Sequence, residues 1–198
     1  NDGKMDQEWE QGLLSEIGFI KNIGKLPADF TSEYVSRQEF MRIFVSFQKQ
    51  LAQEKKLDLD DFAAAVCHLF RTNPAELARW QREYSYLLVD EFQDVNQAQF
   101  ACLQILAEKH QNLFVVGDDD QSIYAFRGAR PDFLLHFPTL YPAAKKVTLN
   151  TNYRSTERIV NLAERVIGNN EVRFVKNMKG IGEAGDKVTF FLAEDAAK

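Results

Sequence analysis

The sequence predicts an α/β fold: part of a parallel sheet flanked by helices and preceded by an all-helical subdomain. Three observations carry this. Residues from about 6 to 84 keep helical periodicity. After Tyr84 the pattern changes to short apolar runs rich in Val and Leu, at 86–89, 113–116 and 147–149, each followed by polar or turn residues. Helical segments separate these runs, and strands alternating with helices build a parallel sheet covered on both faces.

The elements follow in order. Ser36 and Glu39 form an S-x-x-E capping box. Phe40, Ile43, Phe44, Phe47 and Leu51 then fall at helical spacing and form one apolar stripe. Asp58 is expected to cap the next helix, with Phe62, Val66, Leu69 and Phe70 on its inner face. Asn73-Pro74 sets a capping side chain before a proline at the first helical position, with Leu77, Trp80 and Tyr84 as the buried face. Residues 97–108 read as a helix bearing Phe100, Leu103 and Ala107 on one side, and 131–137 as a shorter one. Ser155 is expected to cap a helix carrying Ile159, Val160, Leu162, Ala163, Val166 and Ile167, which stops at Gly168. A loop with Gly180, Gly182 and Gly185 then leads to a final strand at 187–192.

Composition narrows the function classes. The chain has 198 residues, 45% of them hydrophobic, enough for a packed core. No apolar run approaches the ~20 residues of a membrane span, and no signal peptide is visible. A soluble, cytoplasmic protein without membrane partners is expected. Net charge is −5, which argues against gripping DNA by an extended basic surface but not against a local groove or stacking on aromatics. Cys67 and Cys102 sit in helical apolar patterns and read as free thiols; the three histidines lack metal-ligand spacing.

The chemistry lies in three blocks. In the first, the apolar run ends in Asp90-Glu91. Side chains of consecutive residues at a strand end diverge, so Asp90 can hold Mg²⁺ while Glu91 accepts a proton from an attacking water. Alone, this is also how an ordinary strand ends in an acidic turn. In the second block, Gly117-Asp118 closes another strand, and a residue without Cβ lets a nucleotide approach. Gln121 offers an uncharged amide suited to sensing a γ-phosphate or its water. Tyr124, Phe126 and Arg127 suit a surface on which bases stack, unless the rings face the core. In the third, Arg154 offers a guanidinium fork before a helix, and Tyr153 a ring able to stack on a purine.

In this order the blocks resemble motifs II, III and IV of the UvrD/Rep/PcrA-type superfamily 1 DNA helicases, and similarity extends over nearly the whole chain. The resemblance implies a RecA-like sheet. It implies a helical accessory subdomain at 1–82, part of a first motor domain at 83–150 and the start of a second at 151–198. By resemblance, Asp90 is the Mg²⁺ ligand, Glu91 the catalytic base and Gln121 the γ-phosphate sensor. Gly117, Asp118 and Tyr153 belong to the ATP site, and Arg154 is an arginine finger from the second motor domain. Tyr124, Phe126 and Arg127 contact single-stranded DNA; many relatives carry tryptophan where this chain has Phe126. ATP and Mg²⁺ are the implied cofactors, with single strands and single/double-strand junctions as partners, alongside proteins of repair or replication. The implied activity is 3′→5′ translocation driven by ATP, with remodelling of a protein complex such as RNA polymerase, or DNA binding without catalysis, as alternatives.

One part is missing. The phosphate-binding G-x-x-x-x-G-K-[ST] loop does not occur; the nearest approach, 18–26, has the wrong spacing and Leu26 where the hydroxyl belongs. The chain is therefore expected to be inactive alone, and to be a segment of a longer motor rather than the alternative, a natural protein that keeps the scaffold without the activity, because Asp90, Glu91, Gln121 and Arg154 are all intact.

Overall fold

The computed structural model describes residues 2–191, with side chains from residue 7 onward. The chain divides into two compact units, Asn1–Leu134 and Leu135–Lys198.

The first unit begins with helices α1 (Asp2–Ile23) and α2 (Arg37–Gln53). Leu13, Ile17 and Ile20 of α1 are buried with Phe40 of α2, and Ile43, Phe44 and Phe47 pack around them. The predicted stripe of α2 is thus its core face. The Ser36 hydroxyl accepts from the Glu39 N–H at 3.3 Å, the cap the sequence predicts. Gly18 lies inside α1, so the 18–26 match is helical up to Ile23 and not a strand-to-helix loop.

Asp58 caps a single 3-10 turn, Leu59–Asp61, which runs directly into α3 (Phe62–Thr72). Lys21 of α1, its side chain only 6% exposed, pairs with Asp58 and Asp61 at 3.2 and 2.9 Å. The inner face of α3 differs from expectation. Cys67 and Phe70 are buried, whereas Phe62 and Leu69 are exposed. Packing of α3 against α5 (Gln97–Ala107) turns the face towards Cys67, whose thiol donates to the Ala98 carbonyl of α5. Helix α4 (Pro74–Glu83) is capped by Asn73 as predicted. Tyr84 is exposed rather than buried, because it stacks on Trp80 at 5.5 Å instead of entering the core.

Strands β1 (Leu87–Val89) and β2 (Leu113–Val115) pair in parallel, with Leu87 opposite Leu113 and Val89 opposite Val115. The α5 helix connects them, capped by a reciprocal Asn96–Gln99 box. The sheet is not covered on both faces among the described residues: Leu88 and Phe114 are 75% and 62% exposed. On the other face Val89 shares an open apolar cleft with Ala63, Cys102 and Leu103. Near the carboxyl ends of the strands, Phe92, Phe100 and Phe133 of α6 (Asp132–Leu135) are buried, with Phe100 stacked on Phe133 at 4.4 Å.

The second unit holds α7 (Phe137–Leu140), β3 (Thr151–Asn152), α8 (Glu157–Ile167) and β4 (Lys179–Gly180). The parallel pair β3–β4 sets Asn152 opposite Gly180. Several expectations are corrected here. Val147 and Leu149 are 80% exposed and form no strand; pairing begins later, at Thr151. Gly180 is a strand residue rather than a loop residue, and a Cβ there would lie 3.0 Å from Glu157 Cα. The helix begins after Thr156, not Ser155, because Asn152 Oδ1 accepts the Ser155 N–H and takes it into a turn. Val160 is buried while Ile159 and Val166 are exposed, so the apolar face of α8 is only partly used. Residues 187–191 are not strand, and Leu192 lies outside the described residues.

No described helix is long and apolar enough to cross a membrane.

Candidate active site

In the first unit the polar groups gather where β1 and β2 end. Parallel strands point the same way, so the loops after Val89 and Val115 emerge side by side. Backbone bonds tie them: the Val116 N–H donates to the Val89 carbonyl at 2.8 Å, and the Phe92 N–H to the Val116 carbonyl at 2.9 Å.

Between these bonds lie Asp90 and Glu91, both exposed. Asp90 Oδ1 accepts from the Glu91 N–H at 2.9 Å. Glu91 adopts φ 50°, ψ 42°, a left-handed conformation uncommon for a residue with a side chain. Such strain persists where surrounding bonds over-determine it, and it collects at functional sites. Here the Glu91 carbonyl accepts from the Asp94 N–H at 2.9 Å, and Gln93 Nε2 donates to Glu91 Oε2 at 2.7 Å.

The second loop is held from the same side chain. Gln93 Oε1 accepts from the Asp118 N–H at 2.9 Å. At Gly117 a Cβ would lie 2.7 Å from Gln93 Oε1 and 3.2 Å from the Phe92 nitrogen. The missing side chain makes room for the Gln93 amide. Asp118 accepts twice, from the Asp120 N–H at 3.2 Å on Oδ1 and from Gln121 Nε2 at 2.8 Å on Oδ2. With that N–H committed, Gln121 keeps its Oε1 acceptor for a water or phosphate-bound proton. Asp118, Asp119 and Asp120 bring carboxylate oxygens within 4.8 Å of one another.

The loop continues into a 3-10 turn, Ala125–Arg127. Tyr124 and Phe126 are 39% and 65% exposed, so neither ring belongs to the core. The segment is a turn rather than an extended strand. The turn itself brings the rings to 6.0 Å, with the Arg127 guanidinium 5.6 Å from each. Gly128 closes the turn at φ 83°, and a Cβ there would crowd Asn22 and Ile23 of α1.

Tyr153 and Arg154 belong to the second unit and are both exposed. The Asn152 side chain accepts from the Arg154 and Ser155 N–H groups at 2.9 and 2.8 Å, fixing the turn before α8.

Sequence reasoning missed Gln93. It is 1% exposed, a polar side chain among the most deeply buried in the chain. The only available signal was its position between two carboxylates in Asp90-Glu91-Phe92-Gln93-Asp94.

This is a helix-rich α/β protein whose polar groups converge at the carboxyl ends of parallel strands, where such folds receive ligands. Residues 5–142 match the UvrD/REP helicase N-terminal domain. The chain belongs to the UvrD/REP helicase family. It is 40% identical over 166 residues to a putative ATP-dependent DNA helicase, YjcD, of Bacillus subtilis, covering 84% of this chain and 22% of that protein. It is 36% identical to the ATP-dependent DNA helicase PcrA of Leuconostoc citreum and 38% identical to that of Staphylococcus epidermidis, covering 92% and 91% of this chain and 25% of each relative. The chain thus spans about a quarter of the length of these relatives.

Proposed function

We propose that this chain carries the hydrolytic loop pair and the single-strand contacts of an ATP-dependent DNA helicase. The motor couples ATP hydrolysis to 3′→5′ movement along single-stranded DNA. One observation carries the reading: Glu91 and Gln121 are joined through Gln93 and Asp118 in one hydrogen-bonded site at two parallel strand ends. Phosphoryl transfer depends chiefly on positioning, and a linked base and sensor supply it.

Within this reading Glu91 takes a proton from the attacking water, and Gln121 orients that water or senses the γ-phosphate. Asp90 is the Mg²⁺ ligand. An exposed carboxylate at a strand end is the hard oxygen donor that Mg²⁺ prefers. The metal would neutralise charge on the phosphates. Gly117 and Asp118 shape the loop, Tyr153 stacks on the adenine, and Arg154 serves as the arginine finger. The division into an accessory subdomain at 1–82 and motor-domain parts at 83–150 and 151–198 belongs to the same proposal, as do a RecA-like sheet and a cytoplasmic protein acting at single/double-strand junctions. Exposure of Tyr124 and Phe126 beside Arg127 favours DNA over a protein complex such as RNA polymerase as the substrate of the motor. The names of the relatives support ATP and DNA as ligands.

The test is single-turnover ATP hydrolysis by the full-length protein beside nucleotide affinity. Glu91→Gln keeps the side-chain shape and loses the base, so hydrolysis is lost while ATP binding stays nearly intact. Arg154→Ala lowers hydrolysis by roughly a thousandfold or more. Parental turnover in either variant removes that residue from its role. The 198-residue chain alone, lacking G-x-x-x-x-G-K-[ST], is expected to stay below about 1 s⁻¹ with DNA present.

A further inference from the structure

We infer that Gln93 is a positioning residue that fixes the orientation of Glu91 and locks it to the loop bearing Gln121. This rests on the reading of Glu91 as the base.

Burial comes first. Gln93 is 1% exposed, and a buried amide costs stability unless both ends are bonded. Both are: Nε2 donates to Glu91 Oε2 at 2.7 Å, and Oε1 accepts from the Asp118 N–H at 2.9 Å. Its backbone carbonyl also accepts from the Ser122 hydroxyl at 3.4 Å. Gly117 removes the one Cβ that would displace the amide.

Among side chains of this length, only glutamine meets both demands. Glutamate would set a second carboxylate against Glu91. Leucine or methionine would leave the Asp118 N–H and the Glu91 oxygen without their partner. The bond to Oε2 holds the Glu91 carboxylate in one orientation, and a base acts only from within reach of its proton. Asp118, held by Gln93 through its N–H, holds Gln121 through Oδ2. One amide therefore couples the base to the sensor, groups from loops about 30 residues apart.

The experiment uses the full-length protein with ATP, Mg²⁺ and single-stranded DNA, and reads kcat, KM and the melting temperature. In Gln93→Glu kcat falls at least tenfold, with KM for ATP within about twofold. Gln93→Met lowers kcat in the same way. The exchange Glu91→Gln with Gln93→Glu restores an amide–carboxylate pair and so the melting temperature, but not turnover, because the carboxylate is now the buried member. The inference is overturned if kcat of folded Gln93→Glu and Gln93→Met matches the parent, or if the exchange melts no higher than Gln93→Glu. Should the single variants fail to fold, the melting temperature of the exchange decides. Failure of the underlying reading looks different: Glu91→Gln by itself would then retain hydrolysis.

Discussion

Asn22 and Asn96, 74 residues apart, share a buried hydrogen bond of 2.8 Å from Asn96 Nδ2 to Asn22 Oδ1. Each side chain makes a further bond at its other end. Asn22 Nδ2 donates to Asp60 at 2.9 Å, and Asn96 Oδ1 caps α5 by accepting from the Gln99 N–H at 2.9 Å. The end of α1, the turn before α3 and the segment after the Asp90–Glu91 loop are thereby fastened together.

Asn96→Ala removes the cap and orphans a buried amide oxygen on Asn22. Loss of a cap costs about 1 kcal/mol and an unsatisfied buried group about 1–3 kcal/mol. The expected destabilisation is about 2–4 kcal/mol in urea unfolding. Asn96→Asp keeps the cap but loses the Nδ2 donor and should fall between. A change under about 0.5 kcal/mol in Asn96→Ala would show that the bond contributes nothing net.

Tyr124 and Phe126 offer two exposed rings beside one guanidinium. Stacking of a base on an aromatic contributes roughly 1–3 kcal/mol. Phe126→Ala should weaken single-strand affinity of the full-length protein by about one to two factors of ten, and Tyr124→Ala by a similar or smaller factor. Basal ATP hydrolysis should persist in both. Titration of a labelled oligonucleotide at fixed salt reads the effect, with a thermal melt to check folding. Parental affinity in both folded variants would end the stacking role.

Burial raises the Asp94 carboxyl above its ordinary value of 3.8, and the Glu91 charge raises it further. One of its oxygens is buried without a hydrogen-bond partner. The native state therefore holds this proton more tightly than the unfolded chain. Stability from this group is present below the unfolded value and is lost as pH rises through the raised native one. Asp94→Asn should stabilise the chain at pH 7 and lose that advantage at about pH 3. Urea midpoints at the two pH values measure it; a penalty at pH 7 would mean that the carboxylate has a role the neutral amide cannot fill.

The Cys102 thiol is pushed from 9.0 up to about 11, first by burial and then by Cys67 beside it. A thiol reacts as its thiolate, so native Cys102 should alkylate much more slowly at pH 8 than a free cysteine. Between 9.0 and about 11 the native state keeps a proton that the unfolded chain releases, so this group subtracts stability as pH rises through that window. Iodoacetamide kinetics with and without denaturant test it. Equal rates would mean that Cys102 is open to solvent in the native state.

Sequence alone determined what is local or periodic. The caps at Ser36, Asp58 and Asn73, the stripe from Phe40 to Phe47, and the strands ending in Asp90 and Gly117 depend on neighbours within a turn or two, and all are present. The 3.6-residue repeat and the capping chemistry carry that information in the residues themselves. Tertiary structure decided what depends on segments meeting. Gln93 is buried only because the Asp118 N–H, 25 residues away, arrives opposite it and Gly117 leaves space. The inner face of α3 was chosen by α5, and the rings of Tyr124 and Phe126 meet through a turn rather than along a strand. A polar residue in a strand-end loop carries no mark of burial, because the free energy that permits it comes from hydrogen-bond partners elsewhere in the chain.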